Sequence, residues 1–481
     1  MVKFIFFSLL LTSSRFLDAK SNEVFYLNQQ KVAQLALNQS RQSKQVLLGY
    51  ELKVLAPISA YANYEWKLTY DGGFQHDNSQ SFQLLSDYTF DSYLNTLSLA
   101  KVFPTGTTMG LSMQRTSRQA DYGAASGITT PRNLTSDIFS ISAEQSLWNN
   151  YLGRASQSAI EASQLEYQSA LKQKNVDLQN VVLNSLKLYW STYVAQLNFK
   201  QALAIRDSYT KLVASVKRKS SLGYANPAEL TQVLAELENH NKEVKESSNA
   251  YLTNIENLLT NLNLDNTAEV QFEELQELPP LPYFKNMDIT QLRQIEAQKL
   301  KLRAADETLN SIQSSTKPTL NLVGKFSSTG IEEEASESLN RVVAGNRPSY
   351  YLGLKFQYTF GYGLSEENYI NKKAQKNIEE IKLSQMQQEA QDRLAQQKRT
   401  VEVKYQSAVS AQMIRSYRKQ AVKELENTFQ QGRTDISLFI DAMNKQYIAE
   451  TQYTQAVGNY NIALADWFAF IDQLIPDKTE N

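Results

Sequence analysis

The sequence contains no cysteine, and it has little glycine and proline, with 17 Gly and 10 Pro in 481 residues. Without cysteine the chain forms no disulfide, no thiolate metal site and no lipid anchor on an N-terminal cysteine. Long stretches that lack both glycine and proline predict long uninterrupted helices. Since a helix of about 70 residues would span roughly 105 Å, the chain is predicted to be elongated.

An excess of charge of one sign is also missing. The 49 basic and 50 acidic residues nearly cancel, so no basic face indicates nucleic-acid binding. The two histidines, His76 and His240, lie far apart in polar surroundings, and we predict that both are solvated surface residues rather than metal ligands or acid–base catalysts. The sequence has no nucleophile elbow, phosphate loop or HExxH motif. It is therefore predicted to be no enzyme, with no cofactor, catalytic residue or metal site.

Long apolar runs are absent as well. After the N-terminus, no segment approaches the ~18 consecutive apolar residues of a membrane helix. Residues 4–11 are apolar, follow Lys3 and precede the small residue Ala19, which is typical of a secretory signal peptide over 1–19. A buried first strand is the alternative. Residues 476–481 are predicted to form a frayed tail.

One short turn occurs twice, at 222–230 and at 431–439. Each copy follows a very long polar-amphipathic stretch and precedes a shorter one. The glycine before each long stretch lies 70 residues from the turn glycine in the first half and 71 in the second. A turn that recurs at matched spacing indicates an internal duplication. We predict two repeats, 20–262 and 288–475, joined by an acidic, proline-rich linker at 263–287.

Each repeat is predicted to begin with a helix that leads into β-strands. After Pro57 the hydrophobic period changes from 3.6 to 2, and apolar and polar residues alternate over strands at about 58–145 and again at 319–360. This alternation, with long polar loops at 116–133 and 327–348 and a short turn at 104–107, is typical of an outer-membrane barrel, although a half-buried sheet has a similar pattern. We count four strands in the first repeat and two in the second.

Each strand set is followed by a predicted long helical hairpin, at 152–262 and at 364–473. The apolar stripes are narrow for such length, which favours helices paired as coiled coils. At the first tip, Gly223 is predicted to end the incoming helix and Asn226 to cap the outgoing one. At the second tip, Gly432 ends the helix and Thr434 or Asp435 caps the next.

The order and spacing of these elements resemble the TolC-type outer-membrane efflux protein family over nearly all of the mature chain. No single motif is specific, and the order of the motifs carries the resemblance. The matching segments are the strand entry Lys317-Pro318-Thr319-Leu320-Asn321-Leu322, the strand exit Ser146-Leu147-Trp148 with Gly153-Arg154, and the tips Gly223 to Glu229-Leu230 and Gly432 to Asp441.

The resemblance implies an α+β membrane protein: a trimeric transmembrane β-barrel continued by a long antiparallel α-helical coiled-coil barrel, built from two repeats. It implies a homotrimer in the outer membrane that extends into the periplasm, without nucleic acid. It also implies a periplasmic adaptor (membrane fusion) protein and an inner-membrane transporter as partners. The adaptor would dock on the tips, at Leu222, Gly223, Tyr224, Gln431, Gly432 and Arg433.

Acidic residues at the tips are the implied periplasmic gate, namely Glu229, Asp435 and Asp441. Glu229 and Asp435 are equally well explained as helix caps, and Asp441 as part of a solvated helix face. Where the family often has a further acid, this chain has Leu438. A family barrel usually takes four strands from each subunit, whereas six are counted here.

Two functions fit this sequence. The first is a passive exit duct of a tripartite efflux or type I secretion system. The second is a non-conducting trimeric coiled-coil stalk or surface structural protein. Two antiparallel hairpins, each preceded by strands, favour the duct.

Overall fold

A computed structural model describes residues 24–78, 89–121, 133–222, 226–274, 277–284, 287–345, 347–358, 360 and 363–475. The predicted signal peptide, the tip residues Gly223 and Tyr224, and the predicted tail lie outside the described residues. The chain divides into two units by its internal contacts. The first unit comprises Met1–Lys44, Leu178–Phe284 and Gln396–Asn481, and the second comprises Gln45–Asp177 and Lys285–Ala395.

The described residues form strands and helices in alternating groups. The strands are β1 (Val24–Leu27), β2 (Lys67–Asp77), β3 (Thr89–Val102), β4 (Thr107–Asp121), β5 (Asn133–Ser146), β6 (Glu269–Phe272), β7 (Thr319–Glu332) and β8 (Pro348–Gln357). The helices are α1 (Gln29–Asn38), α2 (Arg41–Ala62), α3 (Arg154–Ser221), α4 (Pro227–Leu262), α5 (Arg293–Ser315), α6 (Ala335–Val343), α7 (Leu364–Gln430) and α8 (Ile436–Phe470). No helix among these residues is both long enough and apolar enough to cross a bilayer.

The second unit contains a six-stranded antiparallel sheet in the order β2-β3-β4-β5-β7-β8. Four of its strands come from the first half of the sequence and two from the second, which agrees with the predicted count. The first strand begins later than predicted. Helix α2 continues through Pro57 to Ala62, and β2 starts only at Lys67. The proline removes one backbone donor, and the alanines around it favour helix, so the apolar alternation after Pro57 was misleading.

Two short elements were not predicted. The polar segment 327–348, expected to be a loop, contains the end of β7 and the amphipathic helix α6. The predicted linker contains β6, whose register with β1 is parallel. Both are short elements. Helix α6 is stabilised by packing against the strands, because a helix of this length is marginal on its own.

The first unit is built around buried aromatic and aliphatic side chains of α3. Trp190 is only 2% exposed, and its ring lies at right angles to that of Tyr193, 5.5 Å away. Residues of α1, α4, α8, β1 and β6 complete this core. The predicted apolar stripe of α3 is therefore the inner face of this unit. The corresponding stripe of α7 in the second unit differs, since Ile370, Ile378 and Ile381 are about half exposed.

Candidate functional site

One face of the six-stranded sheet is apolar. Residues that lie opposite each other in antiparallel strands share a face, so the face can be followed from strand to strand. Its middle row consists of Leu68, Leu99, Leu111, Ile141, Phe326 and Tyr350. With the neighbouring rows it forms what we call the apolar band: the middle row and Tyr70, Phe74, Tyr93, Leu97, Met109, Met113, Phe139, Leu320, Leu322, Leu352, Leu354 and Phe356.

The opposite face of the same sheet is polar. The row adjacent to the middle of the apolar band has a hydroxyl group on every strand. It consists of Thr69, Ser98, Ser112, Ser140, Ser327 and Ser349. Small hydroxyl side chains leave space and bind water, so this face is suited to contact water, and polar and apolar residues alternate along each strand.

The apolar band is open in the single chain. Leu68 is 70% exposed, Tyr350 76% and Leu352 78%. An antiparallel sheet with one apolar and one polar face normally packs the apolar face on a core. A contiguous exposed apolar surface of this extent marks contact with lipid or with another protein.

At one end of the strands, helix α6 covers the face that carries the apolar band. Asp137 is fully buried there and accepts hydrogen bonds from Arg115 Nε at 2.8 Å and Nη2 at 3.0 Å. Ser338 of α6 donates to the carbonyl of Gly330 at 3.0 Å and accepts from the backbone N–H of Asp137 at 3.2 Å. The paired, hydrogen-bonded carboxylate satisfies the requirement for burying a charge. The apolar band thus stops where this polar network begins.

Aromatic rings lie in the middle row of the apolar band and at one of its ends. In the middle row, the ring centroids of Phe326 and Tyr350 are 5.4 Å apart. At the end away from α6, Trp148 lies 6.4 Å from Phe356. Aromatic rings therefore form part of the exposed apolar surface of the sheet.

The helical tips of the first unit are the second candidate site. At the first tip, Leu222 is 64% exposed. Asn226 caps α4 by accepting a hydrogen bond from the N–H of Ala228 at 3.1 Å, and Pro227 occupies the first helical position. The predicted N-cap is therefore confirmed. Pro227 is well placed at the first helical position, because the N–H that it lacks would have no partner within the helix.

The second tip ends α7 with a left-handed glycine. Gly432 has φ +71° and donates to Phe429 O at 3.0 Å, while Arg433 donates to Thr428 O at 2.9 Å. This pair of bonds is a Schellman motif, which satisfies the last carbonyls of the helix. Asp435, rather than Thr434, caps α8 by accepting from the N–H of Ser437 at 2.7 Å. Gln431, Gly432 and Arg433 are all exposed, as a docking surface requires.

The two hairpins pack together just behind these turns. Their contact consists of buried side chains from α3, α4, α7 and α8, which we call the tip core: Tyr209, Leu212, Val216, Val233, Phe429, Ile436, Phe439, Ile440 and Met443. Lys219 lies over the ring of Phe429, with Nζ 4.2 Å from its centroid, and donates to Phe429 O at 3.3 Å. Each tip is therefore held by the other hairpin as well as by its own caps.

A polar cluster around Asn444 lies next to the tip core. Asn444 Oδ1 accepts a hydrogen bond from Tyr209 at 2.8 Å and lies 3.2 Å from His240 Nε2. Its Nδ2 donates to Glu236 at 3.4 Å. Burial raises the pKa of Tyr209, and the charge of Glu236 acts in the same direction, so the hydroxyl stays protonated and donates. Residues of α3, α4 and α8 are joined through one side chain.

The prediction that His240 is a solvated surface residue is wrong, since it is only 5% exposed. Its Nδ1 is 3.3 Å from Glu243, but the geometry is not that of a hydrogen bond. The signal was available in the sequence, because His240 follows the tip-core residue Val233 by seven positions and shares its helical face. His76, in contrast, is exposed and pairs with Asp91 at 2.6 Å.

The three predicted gate residues have different surroundings. Asp435 is exposed and serves as the N-cap of α8. Asp441 is half exposed and pairs with Lys445 on the same helix at 2.7 Å. Glu229 is half-buried and lies in the first turn of α4, where the helix dipole favours an acid.

We expect Tyr209→Phe to lower the free energy of unfolding by about 1–2 kcal/mol, because the hydroxyl that binds Asn444 is lost from a buried site. Thermal unfolding followed by circular dichroism measures this effect. Tyr26→Phe is the matched control, since Tyr26 is 73% exposed, and its melting temperature should stay unchanged. Equal melting temperatures for the two variants would show that the Asn444 cluster does not stabilise the helices.

No protein-family model and no curated protein matches this sequence. Solved structures do match its fold. A membrane protein from Pseudomonas aeruginosa has a TM-score of 0.70 at 16% identity, covering 92% of this chain and 93% of that one. The CmeC outer membrane channel of Campylobacter jejuni gives 0.69 at 13%, covering 94% and 87%. The open MtrE outer membrane channel of Neisseria gonorrhoeae gives 0.66 at 14%, covering 94% and 91%.

The chain therefore has the fold of outer-membrane channel proteins, over nearly its whole length and theirs. This is the fold that the resemblance to the TolC-type family predicts, and the prediction is confirmed at that level. An apolar sheet face, a hydroxyl-lined opposite face and capped helical tips are the features that this fold presents here.

Proposed function

We propose that the protein is an outer-membrane exit duct, a passive channel-tunnel of a tripartite efflux or type I secretion system. The observation that carries the proposal is the apolar band, exposed on one face of the sheet, while the other face is mostly polar and has a row of hydroxyl groups across all six strands. That arrangement suits a sheet with lipid outside and water inside. The neighbours that share the fold are channels rather than enzymes, which fits a protein without catalytic function.

We propose further that the duct is a homotrimer, in which the sheets form a transmembrane barrel and the helices a coiled-coil tunnel in the periplasm. The half-exposed stripe of α7 supports this, since Ile370, Ile378 and Ile381 need a covering partner. The two-repeat organisation is supported by matched helix lengths: 68 and 36 residues for α3 and α4, and 67 and 35 for α7 and α8.

The partners in this proposal are a periplasmic adaptor protein and an inner-membrane transporter. The adaptor would dock on the exposed tip residues Leu222, Gln431, Gly432 and Arg433, with Gly223 and Tyr224 completing the first tip. Co-purification of an adaptor with the wild-type chain, and its loss with Leu222→Asp and Arg433→Glu together, is the measurement for this surface. Unchanged adaptor recovery would remove the tips from the docking site.

Conductance of the purified oligomer in a planar bilayer tests the proposed function. A duct inserts and gives stepwise increases in current. The non-conducting coiled-coil stalk is the second candidate, and it inserts without current. An oligomer that is shown to be embedded in the bilayer and never conducts would contradict the duct.

For the gate we predict that Glu229→Ala with Asp441→Ala changes the ratio of cation to anion permeability by roughly twofold or more towards anions, because acids repeated around a pore attract cations. Reversal potentials in a salt gradient measure this ratio. Glu246→Ala with Glu402→Ala is the control, since these exposed acids lie on α4 and α7, 23 and 30 residues away from the tip glycines Gly223 and Gly432. If both double variants keep the wild-type ratio, Glu229 and Asp441 do not form the gate.

Asp435 combines a charge with a capping role, and one substitution separates the two. Asp435→Asn keeps an N-cap of similar strength while removing the charge. A changed permeability ratio at an unchanged melting temperature would assign Asp435 to the gate, whereas no change in either would leave it as a cap.

A further inference from the structure

Four helical segments of the second unit form one curved layer. Helices α2, α3, α5 and α7 lie side by side in that order, and polar side chains join each neighbouring pair. The contacts are Tyr50 Oη donating to Tyr167 Oη at 3.0 Å, Ser169 Oγ donating to Ala297 O at 2.7 Å, and Lys376 Nζ pairing with Asp306 at 2.6 Å. A cavity of about 690 Å³ is lined by all four helices. A single cavity touches four helices in a row only on the side towards which their layer curves, so it marks the concave face.

The size of this cavity suits a drug-sized organic molecule, because ligand pockets commonly have volumes of about 300–1,000 Å³. Its lining includes the small residues Gly49, Ala170 and Ala305. Gly49 lies inside α2, where glycine is unfavourable for a helix. A Cβ added to Gly49 would meet none of the described atoms within 4 Å. Glycine at this position therefore leaves open space on the cavity side of α2.

The cavity has a cationic lining, to which each of the four helices contributes one lysine. These residues are Lys53, Lys174, Lys301 and Lys372. In the part of the chain that the structure describes, none of the four forms a salt bridge. Lys174 Nζ lies over the ring of Tyr50, 4.4 Å from its centroid, and this cation–π contact holds the ammonium group at the cavity wall. Each ammonium is a compact charge with three donors, so all four helices offer donors to an anion.

Three acids also line the cavity, and two of them have partners within the chain. Glu379 pairs with Lys382 at 2.7 Å, and Asp177 accepts a hydrogen bond from Gln173 at 2.9 Å. The third acid, Glu166, is exposed. Since Lys382 balances the charge of Glu379, four lysines stand against two carboxylates. The local charge of the cavity thus favours an anion over a cation.

We propose that this concave face is a binding site for drug-sized organic anions that have an apolar body and a carboxylate or sulfonate group. The ring of Tyr50 and the two alanines contact the apolar body, and Lys174 with the lysines of the other helices binds the anionic group. The site itself rests on the cavity. Its place in transport rests on the proposed function, in which the concave face of the helices is the inner wall of the tunnel. Amphipathic anions are then a class of cargo for which this duct has a site.

Fluorescein tests the site, because it is an organic anion with a rigid aromatic body and a carboxylate. We expect the purified full-length oligomer in lipid nanodiscs to bind fluorescein, measured as a saturable rise in fluorescence anisotropy. Lys174→Gln with Lys372→Gln should weaken this binding by about tenfold or more, because two charge-assisted contacts are lost. Lys200→Gln with Lys373→Gln is the matched control, since these exposed lysines lie on the same two helices and do not line the cavity. Equal affinity of the two double variants would overturn the site.

Gly49→Leu tests the location of the site by filling the cavity. The added side chain enters open space, and leucine favours a helix more than glycine does, so the variant should keep its melting temperature and lose fluorescein binding. Glu51→Leu is its control, because Glu51 is exposed on the same helix and does not line the cavity. Wild-type affinity in a folded Gly49→Leu variant would place the bound dye elsewhere and contradict the proposal.

The charge preference and the duct are measured separately. A cationic rhodamine with the same ring system should bind roughly tenfold or more weakly than fluorescein, because like charges repel it; equal or tighter binding of the cation would contradict an anion site. An oligomer that conducts in a planar bilayer without binding fluorescein supports the duct and overturns the site. An oligomer that loses fluorescein binding with Gly49→Leu and never conducts supports the site and contradicts the duct.

Discussion

Leu111→Arg is expected to prevent stable insertion of the protein into membranes. Leu111 lies in the middle row of the apolar band, between Leu99 and Ile141 on the neighbouring strands. An arginine on the lipid face of a barrel at the bilayer midplane costs about 2–4 kcal/mol. In the proposed trimer the substitution occurs three times, so the yield of assembled protein in the outer-membrane fraction should fall at least tenfold.

Ser112→Arg is the matched control for this prediction. Ser112 is the next residue on the same strand, and its side chain belongs to the hydroxyl row on the opposite face. If that face lines water, the arginine is solvated, and we expect normal assembly with altered ion selectivity. Urea unfolding of both variants in lipid vesicles measures the difference. Equal stability of the two variants would contradict a lipid-facing sheet.

Gly153→Val is the second substitution for which we expect a large loss. Gly153 joins β5 to α3 with φ +79°, and a Cβ at this position would lie 1.8 Å from the carbonyl oxygen of Pro104. Since Pro104 lies in the turn between β3 and β4, the side chain would push this turn away from the end of the sheet. Backbone strain and the clash with another backbone together should cost about 3–5 kcal/mol. Thermal unfolding and the yield of folded protein measure this loss.

Gly345→Val separates the two causes of that loss. Gly345 also has a left-handed backbone, with φ +67°, but a Cβ added there would meet none of the described atoms within 4 Å. It should cost only the left-handed conformation, about 1–2 kcal/mol. A variant at Gly153 that is no less stable than the one at Gly345 would show that the turn at Pro104 moves aside freely.

The long helices were predicted closely because their signals are long. Residues 152–220 and 364–430 have a helical apolar period, and no glycine or proline interrupts it after Gly153. Helices α3 and α7 occupy these two segments. The strands after the first were also predictable from alternation, since one face of each is apolar. At the tips, the caps at Asn226 and Asp435 follow from side-chain chemistry that acts within two residues.

The sequence was misleading where local signals compete. Between Ile58 and Trp66, apolar and polar residues alternate as they do in a strand. Helix α2 nevertheless continues through Pro57 to Ala62, because the proline removes only one backbone hydrogen bond. The order of α6 depends on Ser338 meeting Gly330 and Asp137, which no local pattern contains. His240 was misplaced because a polar residue on an apolar stripe becomes buried only when partners such as Asn444 lie on another helix. The faces of the sheet were predictable, whereas the register between its strands was not.

The hydrogen bonds of Asn444 also have a mechanical consequence. Asn444 connects α8 to Tyr209 of α3 and lies within hydrogen-bond distance of His240 on α4, so it links the two hairpins of the chain. The part of α8 between Asn444 and the cap at Asp435 is about 13 Å long. Because this linked segment is short and helical, we expect the two tips of one chain to move together as one rigid body rather than independently.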